Sequence, residues 1–157
     1  MVYAFRYFVQ GIVGDKFQVN TLVPAGVSPE TYELTPQQVV QTSDSRAYFC
    51  VGTLGFEQAR LRKLTENAPN LLVVNTSDSI VLLQDDHSHN HSHPHVEGID
   101  LHTWLSATSG KQIAHNVLRA LCQVDSANAK FYQHRHDSLV QHIDPIDGEI
   151  RQILRPL

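Results

Sequence analysis

Histidine occupies every second position from His87 to His95, in Asp85-Asp86-His87-Ser88-His89-Asn90-His91-Ser92-His93-Pro94-His95. Ser, Asn, Pro and Asp leave this stretch no apolar face, so it cannot lie in a core. It reads as a long polar loop that presents imidazoles to solvent. Any fold must therefore be built from the segments on either side of it. Neutral imidazole is the commonest protein ligand for zinc, copper and nickel, and a His-rich tract chelates divalent metal with little preorganisation. The five histidines His87, His89, His91, His93 and His95 are thus candidate low-affinity metal ligands; the bland alternative is a solvated low-complexity loop.

The 157 residues suffice for one domain with a real core. A hydrophobic fraction of 41% against 18% charged residues is that of an ordinary globular chain. Net charge is −4 with histidines neutral, and no Lys/Arg cluster offsets it, which argues against a nucleic-acid partner. No apolar run approaches the ~20 residues of a membrane span. The N-terminus lacks the sections of a signal peptide, which leaves a cytoplasmic chain or one whose leader has been removed. Cys50 and Cys122 are too few for a disulfide framework and are expected to be buried free thiols.

Along the chain, strand-like and helix-like patterns alternate. Tyr7, Phe8, Ile12 and Val13 predict the end of a helix stopped at Gly14, and Phe17 to Val23 predicts a strand closed by Pro24-Ala25-Gly26. Thr35 is placed as the N-cap of a helix with Pro36 in its first turn, running to about Thr42. Ala47 to Gly52 and Leu71 to Val74 are continuous apolar runs typical of buried strands. Phe56 to Glu66 predicts a helix charged on one side. After the His loop, Ser106 or Thr108 can cap a helix whose apolar stripe is Ile113, Val117, Leu118, Leu121 and Cys122. Ser126 begins a longer helical stretch carrying Phe131, Tyr132, Leu139, Ile143, Ile146, Ile150 and Leu154, with a break or kink expected near Asp144 because of Pro145 and Gly148. The pattern is that of an α/β domain with a mostly parallel sheet flanked by helices.

Two further segments have the look of ligand sites. One is the Pro/Gly-punctuated loop from Pro24 to Pro36, since open α/β sheets bind ligands at the carboxyl ends of their strands. Glu30 is the side chain best placed to enter such a crevice. The other is Gly98-Ile99-Asp100-Leu101-His102-Thr103-Trp104-Leu105, whose single histidine precedes a helix. On spacing alone, a structural role comes first for His102. Of His115, His134, His136 and His142, His134 and His136 read as solvated helix residues because, two apart, they do not share a helix face, and His115 reads likewise from the polar side of its helix.

Tyr7 to Asp15, Gly26 to Pro36 and Asp100 to Ser106, with a His-rich loop between the second and third, occur in one order. In that order the chain resembles the zinc/manganese-binding proteins of bacterial ABC importers, the ZnuA-type periplasmic zinc receptors. The resemblance implies two α/β lobes joined by a long rigid helix, with metal held between them. It makes residues 1–125 an N-terminal metal-receptor lobe with its His-rich loop at 85–98, and residues 126–157 the connecting helix. It also implies that the second lobe, the first strand and the export signal are missing, so that the chain is a fragment. Two ligand positions carry over. Glu30, in Ser28-Pro29-Glu30, stands where the family has a histidine, and His102 stands before Thr103-Trp104, with Leu101 replacing the usual proline. The implied function is capture of Zn(II), ahead of Mn(II), in the periplasm or cell envelope and delivery to an ABC permease in the inner membrane, by a non-catalytic protein that does not itself span the membrane. The loop histidines would act as a collector. A soluble His-rich metal buffer is the alternative. A zinc-dependent hydrolase with Glu30 as general base ranks below it, because no His-Glu-x-x-His pair is present.

Overall fold

The computed structural model describes residues 3–28, 32–52, 57, 65–66, 68–82 and 102–155. A 3-10 turn at Tyr3–Phe5 leads into α1, Arg6–Val13, which ends at Gly14 as its sequence predicts. Gly14 has φ +60°, and a Cβ there would lie 2.9 Å from the Phe131 ring, so both backbone and packing require glycine. α2 spans Pro36–Ser43 and opens with a complete capping box. The Gln38 amide N–H donates to Thr35 Oγ1, the Thr35 N–H donates to Gln38 Oε1, and Pro36 occupies the first turn.

Strands β1, Ala47–Cys50, and β2, Leu72–Asn75, pair in parallel with Ala47 opposite Leu72 and Cys50 opposite Asn75. The parallel pairing expected from the two apolar runs is therefore present. Alternation along β1 divides the core. Phe49 and Val51 face the main cluster with α1 and the C-terminal helices. Tyr48 and Cys50 face a smaller cluster with Leu22, Leu34, Ala68 and Leu71. Both faces of β1 are covered, which is why its sequence is continuously apolar rather than alternating. β2 is only half-buried, a weaker burial than its run of Leu and Val suggests.

The predicted strand at Phe17 to Val23 is not formed. Phe17, Val19 and Thr21 are half-buried while Gln18 and Asn20 are exposed, so the period-two pattern is real. Only Val23 makes a bridge, however, and this segment lines a cavity of about 890 Å³ together with Ala47, Tyr48 and Phe49 rather than pairing with them in the sheet. Alternation sets which side chains turn inward, but a strand also needs a backbone partner within hydrogen-bonding distance. Of the helix expected at Phe56 to Glu66, Glu57, Thr65 and Glu66 are helical, and the rest lies outside the described residues.

After the His loop, a 3-10 helix at Thr103–Leu105 precedes α3, Ala107–Val124, and α4, Ala129–Leu154. Ser106 caps α3 by accepting the Ser109 amide N–H. Ile113, Val117, Leu118 and Leu121 are buried as their spacing predicts, while Cys122 is half-buried; both cysteines are free. α3 and α4 form a helical hairpin through Asp125–Asn128, with α1 packed against both. Arg135 Nε donates to the Gly11 carbonyl at 2.7 Å, and Arg46 Nη2 to that of Val124 at 3.0 Å, tying the hairpin to α1 and β1.

Of the break or kink expected near Asp144, a break does not occur: α4 runs through Pro145. Gln141, whose carbonyl loses its amide partner to the proline, is exposed, so water can take the vacant acceptor. Ile143 is buried and Asp144 pairs with Lys111 of α3 at 2.8 Å, which pins the helix just before the proline. Beyond it, Ile146, Ile150 and Leu154 are exposed rather than packed against the core.

Candidate functional site

The carboxyl ends of β1 and β2 are built from buried polar side chains. Thr76 Oγ1 and the Thr76 amide both donate to the Cys50 carbonyl, at 2.7 and 2.9 Å, joining the two strand ends. Asn116, buried on α3, donates through Nδ2 to the Thr76 carbonyl at 3.0 Å and to the Asp78 carbonyl at 2.9 Å. It thereby holds the turn after β2, where Ser79 adopts φ +63°. Such a left-handed residue persists only where its surroundings over-determine it.

The same turn holds the start of the Thr103–Leu105 helix. Ser77 Oγ and Thr103 Oγ1, both buried, are hydrogen-bonded at 3.1 Å. His102 immediately precedes this anchor and is exposed. Its carbonyl accepts the Leu105 amide at 3.2 Å, and its ring lies edge-on to Trp104 with centroids 5.3 Å apart. Trp104 in turn sits edge-on to buried Phe5 at 5.6 Å. An imidazole is thus presented to solvent on a backbone fixed from beneath by a hydroxyl pair and from the side by an aromatic stack. A rigid support of this kind is what a ligand-binding side chain needs.

Glu30 and the loop histidines His87, His89, His91, His93 and His95 lie outside the described residues. His102 is therefore the one sequence-predicted ligand whose surroundings are described. Among the described residues, no group of three or more His, Cys, Asp or Glu side chains could hold a metal ion. Structural zinc takes four ligands. An imidazole together with the Glu30 carboxylate would suit zinc chemically, yet would supply only half of such a site.

Glu57 is a residue the sequence pattern conceals. The helix pattern marks one charged side without singling it out, yet Glu57 is 1% exposed. Its carboxylate accepts the amide N–H groups of Val51 at 3.2 Å and Gly52 at 2.9 Å, just past the end of β1, and the Tyr48 hydroxyl at 3.4 Å. Burial pushes the Glu57 carboxyl above the usual range and outweighs the two amides, which pull it down. Burial, reinforced by the Glu57 carboxylate, pushes the Cys50 thiol up to about 12, so this cysteine is unreactive. Glu57 is spent on backbone amides and serves as a structural brace. The sequence signal is Gly52, with φ +89° and no room for a Cβ beside Asn75, which forces the turn whose amides Glu57 accepts.

The helix histidines separate into two kinds. His134 is exposed, as expected of a solvated residue; His142 is exposed too, with its Nδ1 2.6 Å from the Ser138 carbonyl. His115 and His136, expected to be equally solvated, meet across the α3–α4 hairpin with ring centroids 6.2 Å apart.

Parallel strands flanked by helices, with an anchored histidine at their carboxyl ends and a long terminal helix, define an α/β architecture. The model of the family described as zinc-uptake complex component A, periplasmic (ZnuA), matches residues 2–157, and the chain belongs to that family. A crystal structure of a zinc-bound ZnuA deletion mutant aligns with a TM-score of 0.86 and 31% identity, over 99% of this chain and 57% of that one. A crystal structure of ZnuA aligns at 0.82 and 32%, over 97% and 56%. Among curated relatives, the manganese ABC transporter substrate-binding lipoprotein PsaA of Streptococcus anginosus is 26% identical over 151 residues, 91% of this chain and 46% of PsaA. The chain thus spans about half the length of these relatives. The family comprises substrate-binding components of metal transporters, not enzymes. Among the described residues, no helix is long and apolar enough to cross a membrane.

Proposed function

We propose that this chain is the N-terminal lobe and connecting helix of the solute-binding component of a metal ABC importer. It captures Zn(II) in the cell envelope and contributes to its delivery to the membrane permease. The observation that carries this reading is the position of His102, exposed at the carboxyl ends of the parallel strands and anchored through Thr103 and Trp104, in a chain matched over nearly its whole length by the zinc-uptake family model. His102 and Glu30 are assigned as metal ligands. His87, His89, His91, His93 and His95 are assigned as a low-affinity collector. Zinc is favoured over manganese because borderline-soft imidazole selects zinc, whereas manganese prefers oxygen donors, although relatives named for manganese also match.

Calorimetric zinc and manganese titrations test the reading, using this chain, a variant with the five loop histidines changed to serine, and His102→Ala. Zinc binds in preference to manganese, and the loop variant loses most of the binding capacity. A drop in the remaining zinc stoichiometry or affinity when His102→Ala is added to the loop variant supports His102 as a ligand. Equal zinc affinity with and without His102 in that background removes His102 from the site. Preference for manganese overturns the metal assignment.

A further inference from the structure

We propose that His115 and His136 form a second zinc site, a two-histidine clip across the α3–α4 hairpin with water completing the coordination. It uses none of the residues assigned to metal capture. The rings lie on facing helices, with centroids 6.2 Å apart and planes at 69°. With Zn–N bonds of about 2.0–2.1 Å, two imidazoles on one tetrahedral zinc have centroids roughly 5–6 Å apart. A small side-chain adjustment therefore brings both rings onto one ion, and His115, exposed on α3, has the freedom to make it.

His136 has the support expected of a ligand. Its Nδ1 lies 3.0 Å from Asp137 Oδ1, and its side chain is only 13% exposed, which limits the ring's orientations. A carboxylate on one ring nitrogen holds the proton there and leaves Nε2 as the metal donor, the usual arrangement behind a metal-bound histidine. Gln133 donates to the same Oδ1 at 2.8 Å and fixes the carboxylate in turn. The ligands come from two separate helices, so bound zinc would cross-link the hairpin rather than decorate one helix.

The experiment uses the full chain with the five loop histidines changed to serine, His102→Ala and Glu30→Gln, which removes the ligands assigned to metal capture. Zinc titration by calorimetry is expected to retain one weak equivalent, and thermal unfolding is expected to move upward with added zinc. Adding His115→Gln or His136→Gln abolishes both effects, and Asp137→Asn weakens the residual binding by about tenfold. His115 is exposed, so His115→Gln keeps the fold, which circular dichroism checks. The proposal is overturned if the background protein binds no zinc, or if residual binding and thermal shift survive unchanged in His115→Gln and His136→Gln. Neither result bears on His102, whose assignment stands or falls with its own titration.

Discussion

A single buried carboxylate decides how β1 ends. Glu57 takes two backbone amides that the sheet does not use, and Glu57→Ala leaves the amides of Val51 and Gly52 without acceptors. The expected loss is roughly 1–3 kcal/mol for each orphaned group, read as a lower urea midpoint at constant slope. The raised Glu57 pKa adds a pH dependence. A group that binds its proton more tightly when folded stabilises most at low pH, and that contribution declines as pH rises from the ordinary carboxylate range through the folded value. Asp125 has the opposite sign. It accepts the Tyr132 hydroxyl at 2.6 Å and Asn128 Nδ2 at 2.8 Å, which hold its carboxyl below the usual range. Its stabilisation is present above the unfolded value of about 3.9 and is lost as pH falls through the folded one. Tyr132→Phe should therefore differ most from the parent chain near neutrality and converge on it in acid. Denaturant melts at a series of pH values test this, and a constant difference would refute the linkage.

Legibility at the scale of elements depends on whether the signal is local. Thr35-Pro36 with Gln38 is a capping box written in adjacent residues, and α2 begins where it predicts. Ala47 to Cys50 is apolar on both faces and is a two-sided strand. Phe17 to Val23 has equally clear alternation but makes only a single bridge, at Val23, and partners are set by tertiary structure rather than by the segment itself. His136 reads as polar and helical, and only the hairpin register reveals His115 beside it. His102 is visible in the sequence, whereas Ser77, Thr76 and Asn116, which hold its support, are ordinary polar residues until the chain folds around them. Pro145 is a case where a local rule is overruled. The helix continues through it at an intrinsic cost of about 3 kcal/mol relative to alanine. Pro145 is exposed, so Pro145→Ala should raise the unfolding temperature without altering the core. An unchanged or lower temperature would mean that the proline suits a distortion the alanine cannot adopt.

For the molecule as a whole, a metal site completed by a second lobe predicts a particular asymmetry. With only His102 and Glu30 as candidate capture ligands, this chain should hold zinc weakly once its loop histidines are gone, since two ligands cannot supply a tetrahedral site. A tight isotherm with one zinc per chain in the loop variant would mean that the site is completed within this chain or its oligomer.

The hairpin of α3 and α4 also bears on how the chain folds. Its two helices are consecutive and meet through Asp125–Asn128, so their contacts close over short stretches of chain. β1 and β2 must find the register Ala47↔Leu72 across an intervening crossover. Local contacts form before those that require long loop closure. Amides of α3 and α4 are therefore expected to gain protection first in pulsed hydrogen exchange during refolding, with β1 and β2 following; protection of the strands ahead of the hairpin would reverse that order. The surface that receives His102 would then be assembled last, laid down on a helical platform that has already formed.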